Sequence, residues 1–320
     1  MVRLRRVSPG EDPGIMRVRS GDGFRYRTTA GGPVRTKDID RIRALVIPPA
    51  WDEVWICADA RGHIQAVGTD AAGRRQYLYH PGWSAPRDRG KYQRALSLAA
   101  ALPRARARVT AALRKEEDSR ERTLAAAFRL LDAGALRVGS RRYAARGGGR
   151  GLTTLQRQDV TIEGTVVTLD FPAKSGVRAH IEIDDEDLAR VLTPMIQGRP
   201  RSALLSYPKG RGRLALSAAD VNAYVRALTG GAFTAKDFRT LRGTIAAATA
   251  LAENGRLRGK TERKRAERTA VRACAAVLGN TPAVARASYI DPRVWRAYAR
   301  GRLMDLSVSP ESALRTLLAA

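Results

Sequence analysis

The chain has 320 residues and carries 58 Lys and Arg against 31 Asp and Glu, a formal net charge of +27. Hydrophobic residues make up 44% of it, enough for two compact domains or one large one and too many for a disordered basic tail. A surface this basic attracts polyanions, nucleic acid first among them; an anionic membrane surface is the lesser alternative, because no apolar run reaches the ~20 residues of a bilayer span.

Residues 1–20 are polar and punctuated by Pro and Gly, which predicts an extended arm, and no apolar stretch follows the basic start as a secretory leader would require. Phe24-Arg25-Tyr26-Arg27 alternates like a strand. Residues 54–58 and 63–67 flank Asp59-Ala60-Arg61-Gly62 as a hairpin, and residues 76–80 read as a further strand. A short helix over 38–45 precedes Ile47-Pro48-Pro49. From Lys91 the apolar spacing becomes helical, over 91–101, 103–115 and 119–133, with a helix exit at Asp132-Ala133-Gly134. A Gly-rich loop at 147–151 leads into a β meander over 160–183. Ser217 with Asp220 and Thr234 with Asp237 are capping boxes that open helices, and Thr281-Pro282 opens another. The pattern predicts an α+β chain: a small antiparallel β-rich domain at 1–90 and a mostly helical domain at 91–320 with a three-stranded meander.

Several chemistries are disfavoured. Cys57 and Cys274 stand far apart and read as small buried groups in a reduced cytoplasm. His63, His80 and His180 are isolated, so no metal cluster is signalled. Asp184-Asp185-Glu186-Asp187 could hold magnesium, but an acidic first turn that complements a helix dipole explains it more simply. There is no G-x-x-x-x-G-K-[ST] loop for ATP. The expectation is no cofactor and no metal.

What remains is a set suited to phosphoryl transfer. Arg137 lies in Leu136-Arg137-Val138-Gly139, Lys174 at a hairpin tip, Arg239 in the first turns of a capped helix, and Asn280 nine residues before Tyr289. Two guanidiniums can brace the non-bridging oxygens of a pentacoordinate phosphate, and stabilising developing charge is usually the largest catalytic contribution.

These segments resemble the type IB DNA topoisomerases of the poxvirus-like bacterial branch. The resemblance covers most of the chain. It is carried by residues 40–51 and 73–80, the Arg137 motif, Gly151-Leu152-Thr153-Thr154-Leu155, the Lys174 hairpin, Lys236-x-x-Arg239 and the Tyr289 segment, all in family order. It implies that Tyr289 is the nucleophile, that Lys174 is the general acid, and that Arg137 and Arg239 stabilise the transition state. The implied product is a 3′-phosphotyrosyl link whose religation needs neither ATP nor metal. At Asn280 the chain departs from the family's usual histidine; an amide N–H₂ still donates but carries no charge. The resemblance further implies that Gln76, Tyr77 and Tyr79 contact the groove or phosphates, that Arg141, Arg142 and Tyr143 read the major groove, and that Thr153 and Thr154 hold phosphates. The bland alternatives are a strand with core aromatics for the first group and a strand start for the threonines. A monomer clamping double-stranded DNA is expected, cytoplasmic and nucleoid-associated. Two rivals share parts of the pattern. A tyrosine recombinase has the same nucleophile but typically His-x-x-Arg where this chain has Lys236-x-x-Arg239. An architectural DNA binder explains the charge but not the ordered Arg/Lys/Arg/Tyr set.

Overall fold

The computed structural model describes residues 3–71, 73, 75–139, 144, 149–174, 177–257 and 259–319, without the side chains of 84–89. The chain divides into two compact units, Met1–Gly90 and Lys91–Ala320.

The first unit is built on an antiparallel sheet of β1 (Gly14–Ser20), β2 (Gly23–Thr28), β3 (Asp52–Cys57), β4 (Ile64–Thr69) and β5 (Arg75–Tyr79), in the order β2-β1-β3-β4-β5. The arm expected over residues 1–20 is therefore only partly an arm, since its second half is strand β1 and pairs with both β2 and β3. Its alternation is hidden in sequence because Arg17, a charged residue, occupies a core-facing position. Side chains of period two feed two small cores. Ile15, Ile56 and Ala66 meet Ile42 of α1 (Thr36–Ala44) on one face, while Trp55, Cys57 and Val67 meet Val7 on the other.

Arg17 is 8% exposed and lies 4.1 Å from the centre of the Phe24 ring. Its guanidinium donates to the carbonyls of Ile47, Pro48 and Trp51. One fork of donors thus gathers the carbonyls of a loop whose prolines offer no N–H of their own.

Helix α2 (Pro81–Leu113), most of which belongs to the second unit, continues unbroken through Pro103, where the sequence predicts a boundary between two helices. Leu98, Leu102, Ala105 and Val109 keep a single buried stripe across that point. Tertiary packing of that stripe outweighs the local cost of proline, whose side chain faces solvent. Helix α3 (Arg120–Gly134) starts on a Ser119 cap and ends at Ala135 in the left-handed conformation. The meander β6 (Val160–Glu163), β7 (Val166–Pro172), β8 (Arg178–Asp184) follows, and then α4 (Glu186–Met195). Asp185 caps α4 and pairs with Arg129, and Asp187 pairs with Arg114 and Arg190, so two of the four acidic residues are matched by arginines. A hairpin of β9 (Ser206–Lys209) and β10 (Gly212–Ala215) precedes α5 (Ala218–Thr229).

Helix α6 (Ala235–Glu253) is buried on nearly every side and forms the axis of this unit. Phe238 meets Phe128 of α3 edge to face, with ring centres 5.3 Å apart. Helix α7 (Lys260–Leu278) packs along α6, and α8 (Pro282–Ser288), α9 (Pro292–Ala299) and α10 (Pro310–Ala319) complete the chain. No described helix is long and apolar enough to cross a membrane.

Candidate active site

Arg239 is 5% exposed. A buried guanidinium needs acceptors, and here they are the ends of two helices. Its NH1 donates to the Ala135 carbonyl at 2.6 Å and its NH2 to the Leu278 carbonyl at 2.8 Å. Ala135 is the C-cap of α3, and Leu278 is the last residue of α7. The orphan carbonyls and negative dipole ends of two helices thus hold the cation, with no carboxylate paired to it among the described residues. Its Nε is buried without a protein partner. Burial, followed by the nearby charge of Arg137, draws the Arg239 pKa below its ordinary value.

Arg137 follows the Ala135 turn by two residues. Its backbone is fixed by the motif centred on Gly151: the Leu152 amide donates to the Arg137 carbonyl at 2.9 Å and the Thr153 amide to the Val138 carbonyl at 2.9 Å. A Cβ at position 151 would lie 2.6 Å from the Arg137 carbonyl oxygen, so only glycine permits this approach. The Arg137 guanidinium donates to Asn280 Oδ1 at 2.5 Å. Asn280 Nδ2 is buried and without a protein partner. The amide therefore presents its oxygen to Arg137 and keeps two N–H donors free for an anion.

Tyr289 is the C-cap of α8, and its ring centre is 5.3 Å from the Arg239 guanidinium. Burial pushes its phenol pKa up. The charge and hydrogen bonding of Arg239 and the charges of Arg137 and Lys236 more than reverse this, so the phenol titrates below its ordinary value. The tyrosine backbone is seated on α6. Thr244, 3% exposed, has its hydroxyl 2.9 Å from the Tyr289 carbonyl and accepts from the Asp291 amide at 3.2 Å. Gly243 lets this seat form, since a Cβ there would be 3.2 Å from the Tyr289 Cβ and 2.9 Å from Cys274 Sγ. The Cys274 thiol is pushed up to about 12 by burial and stays neutral packing.

Lys174 sits exposed on the β7–β8 turn. Ala173 and Val177, on either side of it, line a cavity of about 270 Å³ together with Arg137, Arg150, Arg239 and Leu278. Tyr289 is joined to this cavity through Arg239 rather than as part of its wall. Arg150 carries no motif that would single it out in the sequence; it pairs with buried Asp159 at 2.6 Å. Neither Thr244 nor the carbonyls of Ala135 and Leu278 leave a readable sequence signal, because a helical threonine and main-chain oxygens look the same everywhere.

The other residues predicted to meet DNA lie elsewhere. Tyr77 and Tyr79 are exposed on one face of β5, with rings 6.1 Å apart and 16° from parallel. Gln76 alternates to the other face and donates to Asp70 at 2.8 Å. Thr153 Oγ1 donates to the Val138 carbonyl at 3.0 Å, and Thr154 Oγ1 accepts from the Gly151 amide at 2.9 Å, so both hydroxyls are engaged by backbone in a 3₁₀ turn rather than a strand. Arg141, Arg142 and Tyr143 lie outside the described residues. Among the described residues no group of His, Cys, Asp and Glu is arranged to hold a metal ion.

The arrangement brings two guanidiniums, an amide donor and an acidified phenol to one place, and among the described residues no carboxylate pairs with Arg137, Arg239 or Asn280. Residues 81–298 match the family described as "Eukaryotic DNA topoisomerase I, catalytic core", and residues 23–70 match "Bacterial DNA topoisomerase IB, N-terminal domain". The chain is 30% identical over 285 residues to the DNA topoisomerase 1B of Acanthamoeba polyphaga mimivirus, across 87% of this chain and 85% of that protein. The chain belongs to the type IB DNA topoisomerases, isomerase enzymes whose substrate is DNA.

Proposed function

We propose that this protein relaxes supercoils of either sign by nicking one strand of duplex DNA through Tyr289, allowing the free end to rotate, and resealing the nick. The observation that carries this reading is the buried Arg239, held by two helix-end carbonyls and set 5.3 Å from the Tyr289 ring. The phenol oxygen attacks phosphorus as its proton leaves to water. The P–O bond to the 5′ oxygen breaks, and Lys174 supplies the proton that this oxygen takes up. Arg137, Arg239 and the Asn280 amide share the charge of the pentacoordinate phosphate. The reverse step returns the Lys174 proton and restores the phosphodiester. Because the link energy is conserved in the phosphotyrosine, the cycle needs no ATP, and the protein's own cations take the place of a metal. Exposed Tyr77 and Tyr79 give the first unit an aromatic surface for the same duplex, and one copy of the chain suffices for the cycle.

The test is to trap the reaction with detergent on duplexes labelled at one strand end or the other. A 3′-phosphotyrosyl link retains the fragment carrying the 5′ label on the protein and frees a fragment with a 5′ hydroxyl. Retention of the opposite fragment, or no adduct with Tyr289 intact, contradicts the assignment.

A further inference from the structure

Helix α7 carries its charges in two ways. Glu262, at its start, accepts from the Gly259 amide, and Glu267 pairs with Arg286 at 3.6 Å. Arg265, Arg268 and Arg272 are exposed, and among the described residues none of them meets a carboxylate. At 3.6 residues per turn these three fall on one face with Ala276 and Gly279, opposite Ala270, Cys274 and Leu278, which are buried. Ala276 and Gly279 belong to the wall of the cavity that holds Arg137 and Arg239. The arginine row therefore starts at the reaction centre and leads away from it.

We infer that the outer face of α7 is a rail for the phosphate backbone of one duplex flank of the cleaved phosphodiester, with Arg265, Arg268 and Arg272 holding the phosphates. This rests on reading the Tyr289 cluster as the cleavage centre, and it adds a DNA surface beyond that cluster. The dimensions fit. A rise of 1.5 Å per residue sets Arg272 about 10 Å and Arg265 about 20 Å from Gly279. At 3.4 Å per base pair that length covers roughly six pairs. Unpaired guanidiniums on a straight helix bind phosphates without reading bases, so the rail adds affinity without sequence preference.

The test is duplex binding by full-length Tyr289→Phe protein over a range of salt, so that the measurement precedes any cleavage. It compares this parent with the same protein carrying Arg265→Gln, Arg268→Gln and Arg272→Gln. The control carries Lys209→Gln and Arg211→Gln instead, in the β9–β10 hairpin. That hairpin is tied to the N-terminal end of α3 by the Arg213–Asp118 pair, and Arg137 follows the other end. The triple variant is expected to lower the slope of log K against log salt by about 2 to 3, near 0.9 for each phosphate that is no longer neutralised. The control slope should stay at the parent value. Lengthening one flank of a short duplex by about six pairs should tighten binding of the parent and not of the triple variant. A triple-variant slope equal to the parent's, or a control that falls as far, overturns the rail. Because binding is read before chemistry, these outcomes judge the rail whether or not Tyr289 is the nucleophile.

Discussion

Arg239 and Arg242 leave helix α6 within one turn of each other and meet opposite company. Arg242 joins a matched quartet: it donates to Asp132 Oδ1 at 2.9 Å and approaches Glu311 at 3.5 Å, while Arg106 holds the same two carboxylates at 2.6 Å each. That quartet ties α2, α3, α6 and α10 together, and its charges cancel. Among the described residues Arg239 meets two carbonyls and the Tyr289 phenol, beside a second cation, and no carboxylate. An arginine matched with buried carboxylates holds a fold together. One without them is held ready for an anion that the protein itself does not contain.

The comparison is sharpest when each region is disabled in turn. Asp132→Asn leaves two guanidiniums short of their main partner. Breaking a buried pair costs about 3 to 5 kcal/mol, and the partial exposure of Arg106 and Arg242 argues for the lower end. Calorimetry should show the second unit melting roughly 6 to 12 °C lower, with single-turnover cleavage well below the transition kept within a few-fold of wild type. Arg239→Gln should do the reverse. Loss of one preorganised donor to the transition state costs about 10² to 10³ in cleavage rate, while the melting temperature falls by less than in Asp132→Asn, because the Ala135 and Leu278 carbonyls lose a donor but no buried charge is stranded. If the two variants exchange these signatures, the division between structural and catalytic arginines fails.

A subtler effect concerns pH. The cations around Tyr289 favour its phenolate and so lower its pKa; removing one must raise it. The limb on which the cleavage rate rises with pH should therefore move to higher pH in Arg239→Gln, and by less in Lys236→Gln. A limb that stays in place in both would mean that the phenol does not titrate in the field of these groups. The smallest effect is expected at Asn280. Asn280→His restores a chargeable donor and should raise the cleavage rate up to about tenfold, about 1 kcal/mol. A fall instead would mean that the Asn280 oxygen, as acceptor from Arg137, matters more than its N–H₂.

Much of this architecture is legible in the sequence because its signals are local. The meander announces itself through period-two alternation and Gly turns, and the helix starts through the Ser217 and Thr234 capping boxes and the Thr281-Pro282 cap. The order of Arg137, Lys174, Arg239 and Tyr289 is readable for the same reason, as each sits in a short distinctive motif. What stays hidden is set by distant packing. Nothing near Arg17 in sequence says that its guanidinium gathers the carbonyls of Ile47, Pro48 and Trp51. Pro103 reads as a break and is not one, since the cost of its missing N–H is outweighed by the stripe from Leu98 to Val109. The helix-end carbonyls that seat Arg239 are main-chain atoms brought in from residues 135 and 278, which no motif encodes. The pairing of Asn280 Oδ1 with Arg137 is likewise a tertiary interaction between residues far apart in the chain.

The central claim is that protein cations, arranged around Tyr289, support cleavage and resealing of one strand without metal or nucleotide. Relaxation of supercoiled plasmid in EDTA and without nucleotide, compared between wild type and Tyr289→Phe, tests it most directly. The expected result is full relaxation by the wild type with a detergent-trappable adduct, and none by the variant although it binds DNA equally well. Relaxation that requires a divalent metal or ATP, or that persists in Tyr289→Phe, would contradict it.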